Sequence, residues 1–493
     1  MLIHTTTSLC RVCKNAVAAD VVERGSEVWM QKRCAEHGAQ EVRLSSSVEW
    51  YRKTRAIVPF AAPPQRTAVE VEHGCPFDCG PCASHTQKVR LPVVTITSAC
   101  NLDCPICYVH NKNEGAYNMS REEFASILGH LRVEHGGDID LINLTGGEPT
   151  LHPDLLGLLE LAREAGVHRV SVCSNGLRLA RDEGFVRELA RLGARIALSF
   201  DTFDRHADQL MQGATLLPTK LRALELLAEH GVDTTLIPVM TRGVNDHEIG
   251  QILELGLSYP NIRHIEVHTI TYTGQSGVNF QEGGERPRSG RISMDEVLAQ
   301  IEATTGGLLR ATDFVSSPCA HPLCYQIAYL LMDSEGGPPI PLSRLIPPEV
   351  LYDCLGDHLY IEPSRKLEEA MREGIERLWA SDAPEAERAL RVVKRLLAEV
   401  FPTDRPVSRE TALRTLEGAA KAVYIHSHMD EDNFDTERLA QCCDSNCYAD
   451  GKQVPVCSYN VLYREKEANF MAAPQGWNER RGGTRFPLLP IVS

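Results

Sequence analysis

From Leu91 to Ile270, short aliphatic or β-branched runs recur at 91–98, 139–145, 168–174, 194–200, 232–240 and 262–270, with helical stretches between them. Three of these stretches stop at a glycine: 154–165 before Gly166, 181–192 before Gly193 and 218–230 before Gly231. A residue free to take positive φ is the usual helix stop. Ser120 and Glu123 have the spacing of a capping box opening a helix over 120–134. Six strands alternating with five helices call for a parallel sheet joined by right-handed crossovers. Six repeats are too few to close an eight-fold barrel. The expected fold is therefore α/β, a partial (β/α)6 barrel of the TIM type.

Cysteine carries the chemistry of the chain. There are 17 in 493 residues, most in tight groups. Met1 to Leu9 shows no basic patch followed by an apolar run, so the expected location is cytoplasmic. In a reducing compartment such a number points to metal binding rather than disulfides. No run approaches the ~20 apolar residues that span a bilayer. A formal charge of −15 excludes a dominant phosphate-neutralising surface and a nucleic-acid partner by default. Peripheral membrane contact, to reach a lipid, stays open.

The first strand of the series ends in Cys100-Asn101-Leu102-Asp103-Cys104-Pro105-Ile106-Cys107-Tyr108. The C-x3-C-x2-C spacing lies on a loop at the C-terminal rim, where catalytic groups of such barrels gather. Three thiolates on one loop can hold three irons of a cubane [4Fe–4S] cluster and leave the fourth open; a zinc knuckle, or three unrelated thiols, is the plainer alternative. The second strand ends in Thr145-Gly146-Gly147-Glu148-Pro149. Two glycines let a ligand approach the backbone, and the glutamate can accept a hydrogen bond from an ammonium group. Taken alone this would be an ordinary Gly-Gly turn. After strand two of a sheet whose strand one carries the cysteines, the joint pattern is specific.

Over residues 91–275 the chain resembles the radical S-adenosylmethionine (radical SAM) superfamily. The resemblance implies that Cys100, Cys104 and Cys107 hold a cluster whose open iron binds SAM, and that Gly146–Pro149 receives the methionyl amine. Reductive cleavage of SAM then yields a 5′-deoxyadenosyl radical that removes hydrogen from an unactivated carbon. By position, Tyr108 looks like the aromatic flanking adenine, and Ser174, Asn175, Ser199 and Asp201 like ribose and carboxylate contacts. An electron donor such as ferredoxin or flavodoxin is implied.

Cys10-x2-Cys13 and Cys34-x2-His37 read as two knuckles for one tetrahedral zinc or iron, in a rubredoxin- or zinc-ribbon-like domain over 1–60. Cys75, Cys79 and Cys82, in a segment 61–90, repeat the cluster spacing and suggest an auxiliary [4Fe–4S] cluster, with a zinc site as the alternative. Cys319, Cys324, Cys442, Cys443, Cys447 and Cys457 supply further ligands. Two auxiliary cubanes need eight cysteines, and these groups offer one more than that. The expected partition gives Cys75, Cys79 and Cys82 a fourth ligand from the region of Cys319 and Cys324. The second cubane then draws on Cys442 or Cys443, Cys447, Cys457 and whichever of Cys319 and Cys324 remains. Cys173 reads as a core thiol, and Cys354 is unassigned. His426-Ser427-His428-Met429-Asp430-Glu431-Asp432 reads as metal ligands, as pocket lining, or as a polar loop beside a cluster.

The expected core spans 91–280. A C-terminal helical, cluster-binding domain follows over 281–493, opening with a loop, Gln281 to Arg291, and holding helices near 364–380, 384–400 and 408–421. This layout resembles the archaeal tetraether lipid synthases and their bacterial relatives, a group that includes class D methylases acting on a pterin precursor and is understood to bear three [4Fe–4S] clusters and one mononuclear metal. The first reading of function is radical C–C coupling of lipid chains, a transferase of lipid biosynthesis. The alternatives are radical C-methylation of a pterin or other small molecule and, from another class, a multi-cluster electron carrier.

Overall fold

The computed structural model describes residues 1–67, 69–109, 117–280, 288–380 and 386–464. The chain opens with four antiparallel strands in sequence order, β1 (Leu2–Leu9), β2 (Ala16–Arg24), β3 (Glu27–Cys34) and β4 (Gly38–Ser45). In such a meander the β1–β2 and β3–β4 turns fall at the same end of the sheet. That puts Cys10 and Cys13 on one hairpin tip, and Cys34 and His37 on the other.

Six parallel strands follow in the expected order: β5 (Leu91–Thr97), β6 (Leu141–Gly146), β7 (Arg169–Ser174), β8 (Arg195–Ser199), β9 (Thr234–Ile237), with its continuation β10 (Val239–Met240), and β11 (Ile262–Thr269). Alternate residues point to opposite faces of a strand. On one face Val94, Ile96, Ile142, Leu144, Val172, Ile196, Leu198, Leu236, Ile265 and Val267 are buried against the surrounding helices. Each such side chain contributes ~1.5–3 kcal/mol by leaving water. The other set, Thr95, Asn143, Thr145, Ser171, Cys173, Thr235, Glu266 and His268, is only partly covered and lines the concave face. A helix not anticipated from the sequence, Arg205–Gln212, follows β8.

The sheet does not stop at its six strands. Among the remaining elements are β12 (Val315–Ser316), β13 (Tyr325–Leu331), β14 (Ile340–Pro341), β15 (Ala420–His426), β16 (Asp444–Cys447) and β17 (Gln453–Pro455). β15 adds parallel to β11, and β13 adds antiparallel to β15. At the opposite edge β16 adds parallel to β5, and β17 follows it. The two extended edges meet: the Tyr325 hydroxyl donates to the Asp444 carboxylate, and His426 Nε2 lies 3.5 Å from the same group. The sequence pointed to an open partial barrel; the C-terminal strands bring its flanks together around a lumen. Helices Arg365–Trp379, Ala386–Val400 and Arg409–Ala419 cover the β13–β15 flank with a separate apolar core, which includes Cys354. Arg169, 1% exposed among Asp140, Glu362 and Glu417, ties the start of β7 to this layer. Of the expected loop at Gln281 to Arg291, 281–287 lie outside the described residues, as do 384–385 of the expected helix and 465–493; Arg288–Gly290 form a helical turn. Among the described residues no helix is long and apolar enough to cross a membrane.

Candidate active site and metal centres

The cysteine loop leaves the end of β5 and is held against the turn after β6. Gly147 N donates to Thr97 O at 2.9 Å and Glu148 N to Ala99 O at 2.7 Å. That closeness requires glycine. A Cβ on Gly146, whose φ is +143°, would lie 2.1 Å from Thr97 O, and one on Gly147 would lie 2.2 Å from Ala99 O. The two motifs read separately in the sequence are thus one backbone unit. Within it Cys107 Sγ accepts from Val109 N at 3.4 Å, and Cys104 Sγ donates to Gln212 Oε1 at 3.0 Å. Three partly exposed thiols on one loop, with a backbone N–H aimed at a sulfur, fit a cluster open at one iron.

Glu148 is buried at 2% exposure. Its Oε1 accepts from Thr150 N at 3.2 Å, Thr150 Oγ1 at 2.5 Å and Ser174 Oγ at 2.9 Å, and its Oε2 accepts from Asn175 N at 2.7 Å. Each carboxylate oxygen has about two acceptor sites, so Oε2, with one donor, keeps capacity for one more. Burial raises its pKa against those hydrogen bonds. Pro149 starts the short helical turn that carries Thr150. Asn175 Nδ2 donates to Asn101 Oδ1 at 2.7 Å, tying β7 to the cysteine loop.

Two of the residues expected to contact the ligand have internal partners. Asp201 is buried, accepting from Val239 N at 2.9 Å and from Gln212 Nε2, with Lys220 at 3.7 Å. It braces the tip of β8 and, through Gln212, the Cys104 thiol. Ser174 is likewise engaged by Glu148 and Gly176 N. Ser199 is half-buried and accepts from Lys220 Nζ at 3.2 Å. Tyr108 sits at the lumen mouth with Thr145 beside its hydroxyl and Arg464 stacked 5.2 Å from its ring centroid. Sequence reading missed Gln212, Arg464 and the short helix Gly274–Asn279. That helix fastens the loop through Ser276 N to Cys107 O at 2.8 Å and Gln275 Nε2 to Asp103 Oδ1 at 2.8 Å. Cys173 faces the lumen, donates to Asn143 Oδ1 at 3.2 Å, and has its thiol pushed up to about 12 by burial; it is a protonated lining group.

At the N-terminal hairpin tips the ligand atoms of Cys10, Cys13, Cys34 and His37 all lie within 4.8 Å of one another. Tetrahedral zinc with Zn–S of ~2.3 Å and Zn–N of ~2.0 Å sets S···S and S···N edges of ~3.8 and ~3.5 Å. The observed edges are 3.8 Å for Cys13–Cys34, 3.6 Å for Cys10–His37 Nδ1 and 3.5 Å for Cys34–His37 Nδ1. Burial works against the Cys10 thiolate, but the N–H groups of Cys13 and Val12 and the Gln40 amide bring its thiol down to about 6. The four side chains fit one zinc.

The other cysteines fall into groups that differ from the expected partition. Cys75, Cys79 and Cys82 are electrostatic neighbours, clamped by the Tyr463 hydroxyl, which accepts from Cys79 N at 3.2 Å and donates to Pro76 O at 2.9 Å. Cys324, Cys442, Cys443 and Cys457 line a second cavity together. Cys319 lies 3.9 Å from Cys443 rather than beside the Cys75–Cys82 loop. Cys447 stands apart from these thiols, packed into the main core near Glu134. The spacing Cys442, Cys443, Cys447 suggested a shared cluster, but Cys447 ends β16, paired with Gln453, and turns its side chain into the core.

The family model of the radical SAM superfamily matches residues 94–256, and that of the HMPTM N-terminal zinc ribbon domain matches residues 2–46. A 7,8-dihydro-6-hydroxymethylpterin dimethyltransferase of Methanocaldococcus jannaschii is 28% identical over an alignment of 502 positions that covers 96% of each chain. A GTP 3′,8-cyclase of Chlorobaculum tepidum is 29% identical over 221 residues, 43% of this chain and 63% of that one. Among solved structures, methylornithine synthase aligns at 17% identity and a TM-score of 0.35 over 47% of this chain and 66% of its own. The first match contains the cysteine loop, the glycine turn and most of the lumen wall, and the second contains all four zinc ligands. The chain is a radical SAM enzyme with an N-terminal zinc ribbon.

Proposed function

We propose that this enzyme is a C-methyltransferase acting on a pterin-type heterocycle. The observation that carries the reading is the end-to-end similarity to the pterin dimethyltransferase, zinc ribbon included. The lumen supports it. Its wall is built from Thr95, Asn143, Thr145, Ser171, Thr235, Glu266 and His268, with Tyr325 stacked on His426 at 3.8 Å between centroids. Hydroxyl, amide and carboxylate groups suit a flat ring with nitrogens and a carbonyl. A long hydrocarbon chain there would forfeit the ~0.8 kcal/mol per methylene that an apolar tunnel provides and would leave those polar groups unpaired. The lipid-coupling expectation, and the lipid-synthase side of the resemblance, therefore give way to the methylase side.

In this reading Cys100, Cys104 and Cys107 hold the cluster, Gly146–Pro149 receives the methionyl end of SAM, and Tyr108 flanks the adenine. When bound, cluster and SAM supply the 5′-deoxyadenosyl radical. The chain's own part is positioning: the Gly146–Gly147 backbone fixes the SAM pocket against the cysteine loop, Gln212 braces Asp201 beside Cys104, and the lumen wall holds the substrate. The cysteine groups at Cys75–Cys82 and at Cys324, Cys442, Cys443 and Cys457 are the candidates for holding auxiliary clusters.

The test is anaerobic incubation of cluster-loaded protein with SAM, reductant and either a 6-hydroxymethyl dihydropterin or a total lipid extract, read by mass spectrometry. The reading expects pterin-dependent 5′-deoxyadenosine and a pterin heavier by one or two methyl groups. Coupled lipid chains with an unmodified pterin would refute it.

A further inference from the structure

We propose that His268, His426 and His428 hold a mononuclear divalent transition-metal ion on the lumen wall, separate from the cluster loop and from the zinc ribbon. The three residues come from two distant stretches of sequence. The parallel pairing of β11 with β15 sets His268 opposite His426 on one face, and the chain leaving β15 returns His428 to the same spot. Ring centroids are 5.2 Å apart for His268–His426 and for His268–His428, and 3.9 Å for His426–His428. Their ligand nitrogens all lie within 4.8 Å of one another. Nitrogens bound to one ion at ~2.0–2.1 Å stand roughly 3.4 Å apart, so small rotations about the side-chain bonds close the set.

The surroundings are those of metal-binding imidazoles. A histidine ligand commonly gives its second ring nitrogen to a carboxylate, which fixes the ring and its tautomer. Glu266 Oε1 lies 3.1 Å from His268 Nε2 and 3.5 Å from His426 Nδ1, and an Asp444 oxygen lies 3.5 Å from His426 Nε2. Tyr325 stacks on the His426 ring. His426 is 5% exposed, and the Glu266 oxygen facing its Nδ1 stands 3.5 Å away without closing a hydrogen bond, a weakly satisfied state for a buried ring nitrogen that an ion would resolve. The buried Asp444 carboxylate and the partly covered Glu266 carboxylate face this cluster. The cation beside it, Arg438, is turned to the Ser427 carbonyl at 2.7 Å and to Cys324 Sγ at 3.5 Å. A divalent ion balances the two carboxylates, and withdrawing carboxylates from water without a counter-charge is costly.

The donor set chooses the class of ion. Three imidazoles favour zinc, iron, cobalt, nickel or copper over magnesium and calcium. Three protein ligands also leave a coordination position open, and His268 faces the lumen. A competing assignment makes His428 a ligand of an iron–sulfur cluster in the adjoining cavity, because its Nδ1 lies 3.8 Å from Cys457 Sγ. That assignment uses one imidazole and leaves the other two, with their carboxylates, unexplained.

The test needs no catalytic assay. Cluster-loaded protein is equilibrated anaerobically with zinc chloride, freed of excess, and analysed for zinc and iron per chain. Two zinc ions per chain are expected, with one lost in both His268→Gln and His428→Gln and iron unchanged. Anomalous scattering at the zinc edge from wild-type crystals, which depends on no variant folding, should show a peak among the three imidazoles. A single zinc per chain with no such peak would overturn the site. So would loss of iron from His428→Gln, which would hand that residue to the neighbouring cluster.

Discussion

Replacing Gly147 by alanine tests the claim that the cysteine loop and the glycine turn are one backbone unit. The new Cβ would lie 2.2 Å from Ala99 O, 2.6 Å from Ala99 C and 2.9 Å from Ser98 O, all backbone atoms unable to rotate away. An ordinary contact begins near 3.4 Å, so turn and loop must part by about 1.2 Å, and a shift of ~1 Å in a reacting geometry can cost ~100-fold in rate. The hydrogen bonds Gly147 N to Thr97 O and Glu148 N to Ala99 O would break, each worth ~0.5–1.5 kcal/mol. Reductive SAM cleavage, measured as 5′-deoxyadenosine per minute, should therefore fall by about 100-fold, with ~1–3 kcal/mol of stability lost and cysteine-bound iron retained. Gly129→Ala is the control: it sits in the exposed face of the helix Arg121–Glu134, with nothing within 4 Å of where the new methyl would stand, and should gain ~0.5–1 kcal/mol with unchanged turnover. A Gly147→Ala enzyme within threefold of wild type would refute the reasoning.

Gln212→Leu should retain the cluster's iron yet lower SAM cleavage about tenfold, because Asp201 loses the amide that braces it beside the cysteine loop; unchanged turnover would leave Gln212 without the positioning role given to it. Cys13→Ser should remove the ribbon zinc and expose the contacts the ribbon makes with the 431–432 loop, where Lys32 Nζ donates to Glu431 O and Asp432 O at 2.7 Å each. A melting temperature lowered by about ten degrees or more is expected, and an unaltered melt would show that the ribbon folds without metal. Glu417→Gln strips a carboxylate from Arg169 and Arg195 and should destabilise by ~3–5 kcal/mol at neutral pH. Burial raises the Glu417 pKa, but the two arginines hold it down to about 2. Its contribution is thus full above the unfolded value near ~4.3 and fades as pH falls towards 2. Denaturation of both proteins at matched pH should show the difference between them narrowing from about pH 5 to 3, and a constant difference would exclude the ion pairs as its source.

The parts legible in the sequence were those written locally. The outward faces of the six strands show as aliphatic runs because helices bury them, and the two cysteine–glycine motifs show because each spans fewer than ten residues. The N-terminal zinc ligands were readable for the same reason: two hairpin tips, each with its own x2 spacing. What stayed hidden depends on pairings between distant segments. Glu266 and His268 look like ordinary polar strand residues until β15 lies beside β11 and delivers His426. The closing of the barrel flanks rests on Tyr325 meeting Asp444, 119 residues apart. Asp201 and Cys447 have surroundings that their spacing did not announce, for a related reason. Their types suit ligand binding, but Asp201 is consumed by Gln212 and the Val239 N–H, and Cys447 faces the core. The choice between lipid and pterin also lay beyond spacing, since it turns on whether the lumen wall is apolar or polar.

The central claim is that Cys100, Cys104 and Cys107, pressed against Gly146 and Gly147, form the site of SAM cleavage. The deciding measurement is 5′-deoxyadenosine formation under reducing, anaerobic conditions by the wild-type enzyme and by the Cys100→Ala, Cys104→Ala, Cys107→Ala triple variant, with iron and zinc counted in both. The expected result is robust product from the wild type and none from the variant, which keeps its ribbon zinc and the iron bound at its other cysteines. Product at the wild-type rate from the triple variant would contradict it.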